Sequence, residues 1–258
     1  MSTTSNGVAY EVTGSGDHLV LVHGSTGSRA TWMQQTPVLA ERFTVVLPEY
    51  AGGGETPLPA DGSPLSVDLL VDQVLEVCDD VGADRFHLAG YSLGSVVVAA
   101  LAARAPDRVR SLALVNGWAR TDARMKWTFD LWERLYRTDV ELFTRYVLAD
   151  GLGRESFELF GDGVEAMVPM MASQFSSGTA EHANLDARVD IESSLSSITA
   201  PTLIIGGLLD RWVDITHSRS MADAIADAKL VELEVGHVSL TEKAPEITQL
   251  LLEHASSH

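Results

Sequence analysis

The stretch Arg85-Phe86-His87-Leu88-Ala89-Gly90-Tyr91-Ser92-Leu93-Gly94 decides the fold. It reads as a short apolar strand, Arg85–Ala89, running through a Gly-x-Ser-x-Gly turn into a small-residue helix from Leu93 to about Ala105. A serine on so sharp a strand-to-helix turn is forced into a strained backbone. The residues two positions either side must then be tiny, because their backbones nearly touch. The turn lifts the hydroxyl clear of the sheet edge. It also sets it at a helix N-terminus, where N–H groups and the dipole favour developing negative charge. In a loop the same pattern is a common accident. The strand before it and the helix after it give it meaning here.

Outward from that turn, short β-rich runs alternate with longer helical patterns, which predicts a mostly parallel sheet covered by helices. Val8–Val12 and His18–Val22 flank the turn-rich Thr13-Gly14-Ser15-Gly16-Asp17 and are expected to pair as a hairpin. Thr44–Pro48 is a buried strand ending at Ala51-Gly52-Gly53-Gly54. Ser66–Val81 is an amphipathic helix with Ser66 as N-cap. Cys78 falls on its apolar stripe and reads as core. Ser111–Val115, Thr202–Gly206 and Lys229–Glu234 are further strands, and Ala244–His254 a last helix. Between Gly117 and Ser197 the β-runs vanish, and aromatic and Met residues at helical spacing replace them, with breaks at Gly151-Leu152-Gly153 and Gly161-Asp162-Gly163. An all-helical insert inside such a pattern is a cap over the sheet. Trp118, Trp127, Trp132 and Met170 are the cap residues expected to face substrate.

Composition narrows the function classes. The chain has 258 residues, 45% hydrophobic and 21% charged, as in an ordinary globular protein. Its formal net charge of −18 disfavours nucleic acid and anionic membrane as partners, since both need basic patches. A single cysteine excludes an internal disulfide. Met1–Gly7 carries neither a basic region nor an apolar run, so no leader is expected and the cytoplasm is the default compartment. The longest apolar run, Val96–Ala103, is far too short for a membrane span.

A serine hydroxyl needs a base to take its proton, and the base needs an orienting carboxylate. In open α/β sheets functional groups gather beyond the carboxyl ends of the strands. Asp210 follows Thr202–Gly206 by four residues, and His237 follows Lys229–Glu234. Asp214 is the rival acid, in a place that more often caps a helix. Among the other histidines, His18, His87 and His217 read as structural or surface groups, and His254 and His258 as solvated. His182 alone is a second pocket candidate. An oxyanion hole needs two donors: the Leu93 amide after the serine, and the Ser25 amide in Val22-His23-Gly24-Ser25-Thr26-Gly27. No histidine pair sits at metal-ligand spacing, and no Gly-x-Gly-x-x-Gly opens a helix, so no metal or cofactor is expected.

His23-Gly24-Ser25-Thr26-Gly27, Trp32, Gly52-x-Gly54, Gly90-Tyr91-Ser92-Leu93-Gly94, Asp210, Gly236-His237 and Glu242-Lys243-Ala244-Pro245 follow one another in order. Through them residues 7–250 resemble the α/β-hydrolase superfamily, in the branch with a helical cap between the sixth and seventh strands. The resemblance implies a doubly wound, mostly parallel sheet, with residues 1–116 and 198–258 as the core domain and 117–197 as the cap. It implies a cofactor-free serine esterase, lactonase or haloperoxidase-like enzyme acting on a mainly apolar small molecule. The same triad also serves thioester or carbon–carbon cleavage, lyase chemistry and perhydrolysis, and a binding protein can keep the fold. Serine at position 92 argues against the branches with a carboxylate nucleophile. Ala51 stands where the family often has arginine, so a charge contact bracing that loop is expected to be missing. Ser95 stands where a second glycine is common.

Overall fold

The computed structural model describes residues 1–258. Its eight strands are β1 (Ser2–Thr3), β2 (Ala9–Gly14), β3 (His18–Val22), β4 (Thr44–Glu49), β5 (Phe86–Tyr91), β6 (Val109–Val115), β7 (Thr202–Gly207) and β8 (Ala228–Leu233). The helices are α1 (Thr36–Leu39), α2 (Val67–Asp80), α3 (Leu93–Arg104), α4 (Ala123–Thr138), α5 (Val140–Gly151), α6 (Arg154–Phe160), α7 (Gly163–Ala172), α8 (Thr179–Asp186), α9 (Ile215–Ala224), α10 (Ser239–Glu242) and α11 (Ala244–Ser256). One sheet runs β1-β2-β4-β3-β5-β6-β7-β8, antiparallel only at β1/β2 and β2/β4. This is the doubly wound, mostly parallel α/β architecture expected from the sequence.

The strand interiors alternate between two apolar layers. Val20, Val22, Leu88, Leu112, Leu114 and Ile204 pack under α2, α3 and α9. Leu19, Leu21, Ala89, Ala113, Leu203 and Ile205 face α1 and α11 on the other side. The period of two along a strand separates the layers, and both being covered explains the unbroken apolar runs. Helix α3 is buried nearly all round, so its Ala and Val residues let it lie close against the sheet. Ser66 caps α2 by accepting from the Leu69 amide at 3.2 Å. Burial pushes the Cys78 thiol up to about 12, as suits a core residue.

The expected hairpin does not form. β2 and β3 do not pair with each other; β4 lies between them, antiparallel to β2 and parallel to β3. The connecting Gly14 and Gly16 take φ of 82° and 120°. That extra turning lets a short loop cross the width of two strand spacings, roughly 10 Å, instead of one.

Helices α4 to α8 all fall between β6 and β7. They have no separate core for the most part. Trp118, Phe129, Trp132 and Phe143 join the same apolar cluster as Val20 and Leu88 of the sheet. Only Leu148, Leu152 and Val168, under α6 and α7, form a small cluster of their own. No helix is long and apolar enough to cross a membrane.

Candidate active site

The strand-to-helix turn has the strain its sequence implies. Ser92 takes φ 54° and ψ −122°, between the end of β5 and the start of α3. A Cβ on Gly90 would lie 2.3 Å from the Gly94 carbonyl oxygen, and one on Gly94 would lie 2.3 Å from that of Val22. No other residue fits either position. The serine at 95, not interpretable from sequence, has a structural role. Its Oγ lies 2.7 Å from the Gly90 carbonyl oxygen and 2.9 Å from that of Val115, and accepts from the Val115 amide at 3.0 Å. It ties α3 to the ends of β5 and β6, which holds the turn.

Because β3 and β5 to β8 are parallel, their carboxyl ends form one edge, and the polar groups collect there. His237 Nε2 lies 2.9 Å from Ser92 Oγ, and His237 Nδ1 lies 2.6 Å from Asp210 Oδ2. All three residues are buried. Asp210 Oδ1 accepts from the amides of Trp212 and Val213, both at 2.9 Å. Oδ2 also accepts from Asn116 Nδ2 at 2.8 Å. Four donors on one carboxylate fix its plane. With Nδ1–H committed to Asp210, the lone pair of Nε2 faces the serine. Asp214 is elsewhere: it caps α9 by accepting from the Thr216 amide at 3.0 Å.

Asn116 is a site residue that the sequence reading missed. It follows β6 directly, so the strand-end rule that located Asp210 and His237 applies to it too. Its Oδ1 accepts from Ser239 Oγ at 2.6 Å, which sets the amide's orientation toward Asp210. Tyr91 was missed as well; its hydroxyl donates to the His237 carbonyl at 2.7 Å. The Trp212 ring lies 4.8 Å from that of His237.

Leu93 is the first residue of α3, so its N–H has no intrahelical partner and points out at the helix start. Ser25 lies in the loop after β3, beside Ser92 in the wall of the same cavity. Tyr50 steadies that loop by donating to the His23 carbonyl at 2.9 Å. Burial drives the imidazole of His23 down to about 3, so it is neutral. The bracing charge contact expected to be missing near Ala51 is supplied from another segment. Buried Glu49 accepts from Arg29 Nη1 at 2.8 Å and from the Glu55 amide at 2.9 Å.

A cavity of about 310 Å³ opens over Ser92 and His237, with Tyr91, Trp132, Val147, Met171, Phe175 and Trp212 in its walls. Of the four expected cap residues, Trp132 alone lines it. Trp118 is wholly buried, stacked on Phe129 at 5.6 Å, with its Nε1 donating to Thr121 Oγ1. Trp127 is 76% exposed and Met170 53% exposed. The cause is helical phase. On α4 the inward stripe is Met125, Phe129 and Trp132, and Trp127 lies across the helix from it. On α7, Met171 takes the inward place that one residue's rotation denies Met170. His182 is likewise no pocket residue. It is buried, with Nε2 donating to the Ala51 carbonyl at 2.8 Å. His254 is not solvated: its Nε2 lies 3.0 Å from the Leu112 carbonyl oxygen. A second groove, about 590 Å³, adjoins the cavity across Ser28, Met33 and Phe175.

Comparison with known proteins agrees with this architecture. The family model described as alpha/beta hydrolase fold matches residues 17–244. The chain is 35% identical to a pyrrolizixenacetamide deacetylase from Xenorhabdus hominickii, covering 95% of this chain and 92% of that protein. It is 32% identical to a putative carbamate hydrolase RutD from Variovorax paradoxus, covering 91% of each. Among solved structures, the enol-lactonase from Burkholderia xenovorans LB400 superposes with a TM-score of 0.87 at 24% identity, covering 99% of both chains.

Proposed function

We propose, from the premise that this chain belongs to the α/β-hydrolase family and is a hydrolase, that it cleaves an acyl bond through Ser92, His237 and Asp210. The observation that carries the proposal is the unbroken contact from Ser92 Oγ to His237 (2.9 Å) to Asp210 (2.6 Å) at the floor of an apolar cavity. Ser92 Oγ attacks the acyl carbon while His237 Nε2 takes its proton. The tetrahedral intermediate places its oxygen before the Ser25 and Leu93 amides, each worth about 3 kcal/mol at such a position. His237 then returns the proton to the leaving atom. Water enters, gives a proton to His237 in turn, and releases the acid. Asp210 holds the imidazole in the needed tautomer and stabilises its charged form.

The cavity walls favour a mainly apolar small molecule, and a carboxylic ester or lactone is the bond we assign. The volume of about 310 Å³ is at the low end for small-molecule sites, so the substrate is compact. A second reading rests on the 35% identical relative that is named a deacetylase: a small acyl group is removed from an amide nitrogen. The two are separated by a panel of nitrophenyl esters, aryl lactones and N-acetyl arylamides, with Ser92→Ala as control. Esters or lactones with compact apolar groups turned over fastest support the first. Acetyl arylamides preferred over their ester analogues support the second. Turnover of the whole panel by Ser92→Ala overturns both.

A further inference from the structure

Ser25 carries more than a backbone amide into the site. Its Oγ lies 2.5 Å from Asp186 Oδ2, at the end of α8. Asp186 is wholly buried, and its Oδ1 has no hydrogen-bond partner. No arginine or lysine is paired with it. The titratable groups around it are neutral. His23, after β3, is driven down to about 3 by burial, and His182, one turn back on α8, to about 4. Tyr50, after β4, has a phenol raised well above its usual range by burial. On the outer side of α8, Glu181 pairs with Arg137 of α4, and Asn184 with Glu133, both at the surface. An ionised Asp186 would therefore be an uncompensated buried charge beside the place where the reaction develops its own negative oxygen. Burial lifts the Asp186 carboxyl to about 8, so it is an uncharged acid at neutral pH.

The protonation state decides which way the short contact runs. A carboxylate can only accept, so it takes the Ser25 hydroxyl hydrogen. A carboxylic acid donates its own hydrogen to Ser25 Oγ and leaves the serine's hydrogen free to turn into the cavity. We propose that Asp186, as the acid, is a positioning residue that frees the Ser25 hydroxyl to donate to the reaction's oxyanion beside the two backbone amides, and that loss of its proton withdraws that donor. The proposal rests on the Ser92 mechanism above. No sequence signal pointed to Asp186, because the contact joins residues 161 apart.

The test is the pH dependence of kcat and KM for para-nitrophenyl butanoate, followed at the nitrophenol isosbestic point. The wild type should lose at least about tenfold in kcat as pH rises through about 8, with KM little changed. Ser25→Ala should lower kcat by about 100-fold at neutral pH and move the alkaline fall to higher pH, because Asp186 loses the hydroxyl that favours its anion, and Ser25→Thr should restore both. Asp186→Asn supplies a permanent N–H donor and should remove the alkaline fall while keeping neutral activity. If Asp186→Asn fails to fold, as judged by circular dichroism, the Ser25→Ala and Ser25→Thr pair decides alone. Full kcat in Ser25→Ala, or an unchanged alkaline fall in folded Asp186→Asn, overturns the proposal. Should Ser92→Ala itself turn over the ester, it is the underlying mechanism that fails. Should Ser92→Ala be dead and Ser25→Ala unaffected, only the role of Asp186 and the Ser25 hydroxyl fails.

Discussion

Replacing Glu242 by alanine should loosen the cap and the histidine loop together. The Glu242 carboxylate accepts three hydrogen bonds: from the Gly236 amide at 3.0 Å, the Gly153 amide at 3.0 Å and Ser156 Oγ at 2.8 Å. Gly236 precedes His237, while Gly153 and Ser156 belong to the junction of α5 and α6 in the cap. The two segments also touch backbone to backbone: a Cβ on Gly236 would lie 2.5 Å from the Gly151 carbonyl oxygen. Hydrogen bonds to a charged acceptor contribute roughly 1.5–3 kcal/mol each when buried. Glu242 is half-exposed, so about 1 kcal/mol each, or about 3 kcal/mol in all, is the reasonable magnitude. For a chain of this size that lowers Tm by about 9 °C. His237 remains held by Asp210 and by the Tyr91 hydroxyl, so kcat/KM should fall only about tenfold. Thermal unfolding by circular dichroism reads the first effect, and ester hydrolysis the second. Ser156→Ala removes one of the three bonds and should cost about 1 kcal/mol. In the Glu242→Ala background it should cost nothing, because its partner is gone. An unchanged Tm in Glu242→Ala, or additive costs in the double variant, would refute the staple.

Three further outcomes follow from the site and core. Asn116→Ala removes a 2.8 Å donor from Asp210 and should lower kcat about tenfold with KM nearly constant in steady-state assays. Trp132→Ala should change the ranking of bulky against small acyl substrates, while Trp127→Ala, at an exposed position, should leave the ranking and Tm alone. Burial holds His23 near 3 and His87 and His182 near 4, below the ordinary value of 6.5. Their stability contribution is present above 6.5 and is lost as pH falls toward 4, because the unfolded chain takes up protons that the folded chain refuses. Each adds up to about 1.4 kcal/mol per pH unit to that slope. Urea midpoints between pH 4 and 7 should therefore flatten in a folded His87→Gln variant.

The parts of the fold set by local pattern were open to sequence reasoning. The strain at Ser92 demands Gly90 and Gly94, and those glycines print themselves in the chain. Asp210 and His237 stand out because each follows a β-rich run, Thr202–Gly206 or Lys229–Glu234, that reads as a strand. Asn116 follows such a run too, but an amide next to a strand end carries no chemical flag until its Nδ2 is seen 2.8 Å from Asp210. The pairing of β2 was not open to sequence reasoning. A loop of turn residues between two strands fits a hairpin, and the insertion of β4 depends on partners 30 residues away or more. Cap residues failed for a related reason. Amphipathic helices over a sheet have an inward face, a helix-packing face and a solvent face, and sequence separates only polar from apolar. Trp118, Trp127 and Trp132 look alike as letters, yet they lie in the core shared with the sheet, in solvent and in the cavity wall.

The central claim is that Ser92 is an activated nucleophile, and covalent capture tests it most directly. A fluorophosphonate reacts with a serine whose proton is taken by a neighbouring base and leaves a stable phosphonyl adduct. Intact-mass measurement should show one adduct per chain, peptide mapping should place it on Ser92, and both Ser92→Ala and His237→Ala should abolish it. An inert wild-type protein, or an adduct on any other residue, would contradict the account.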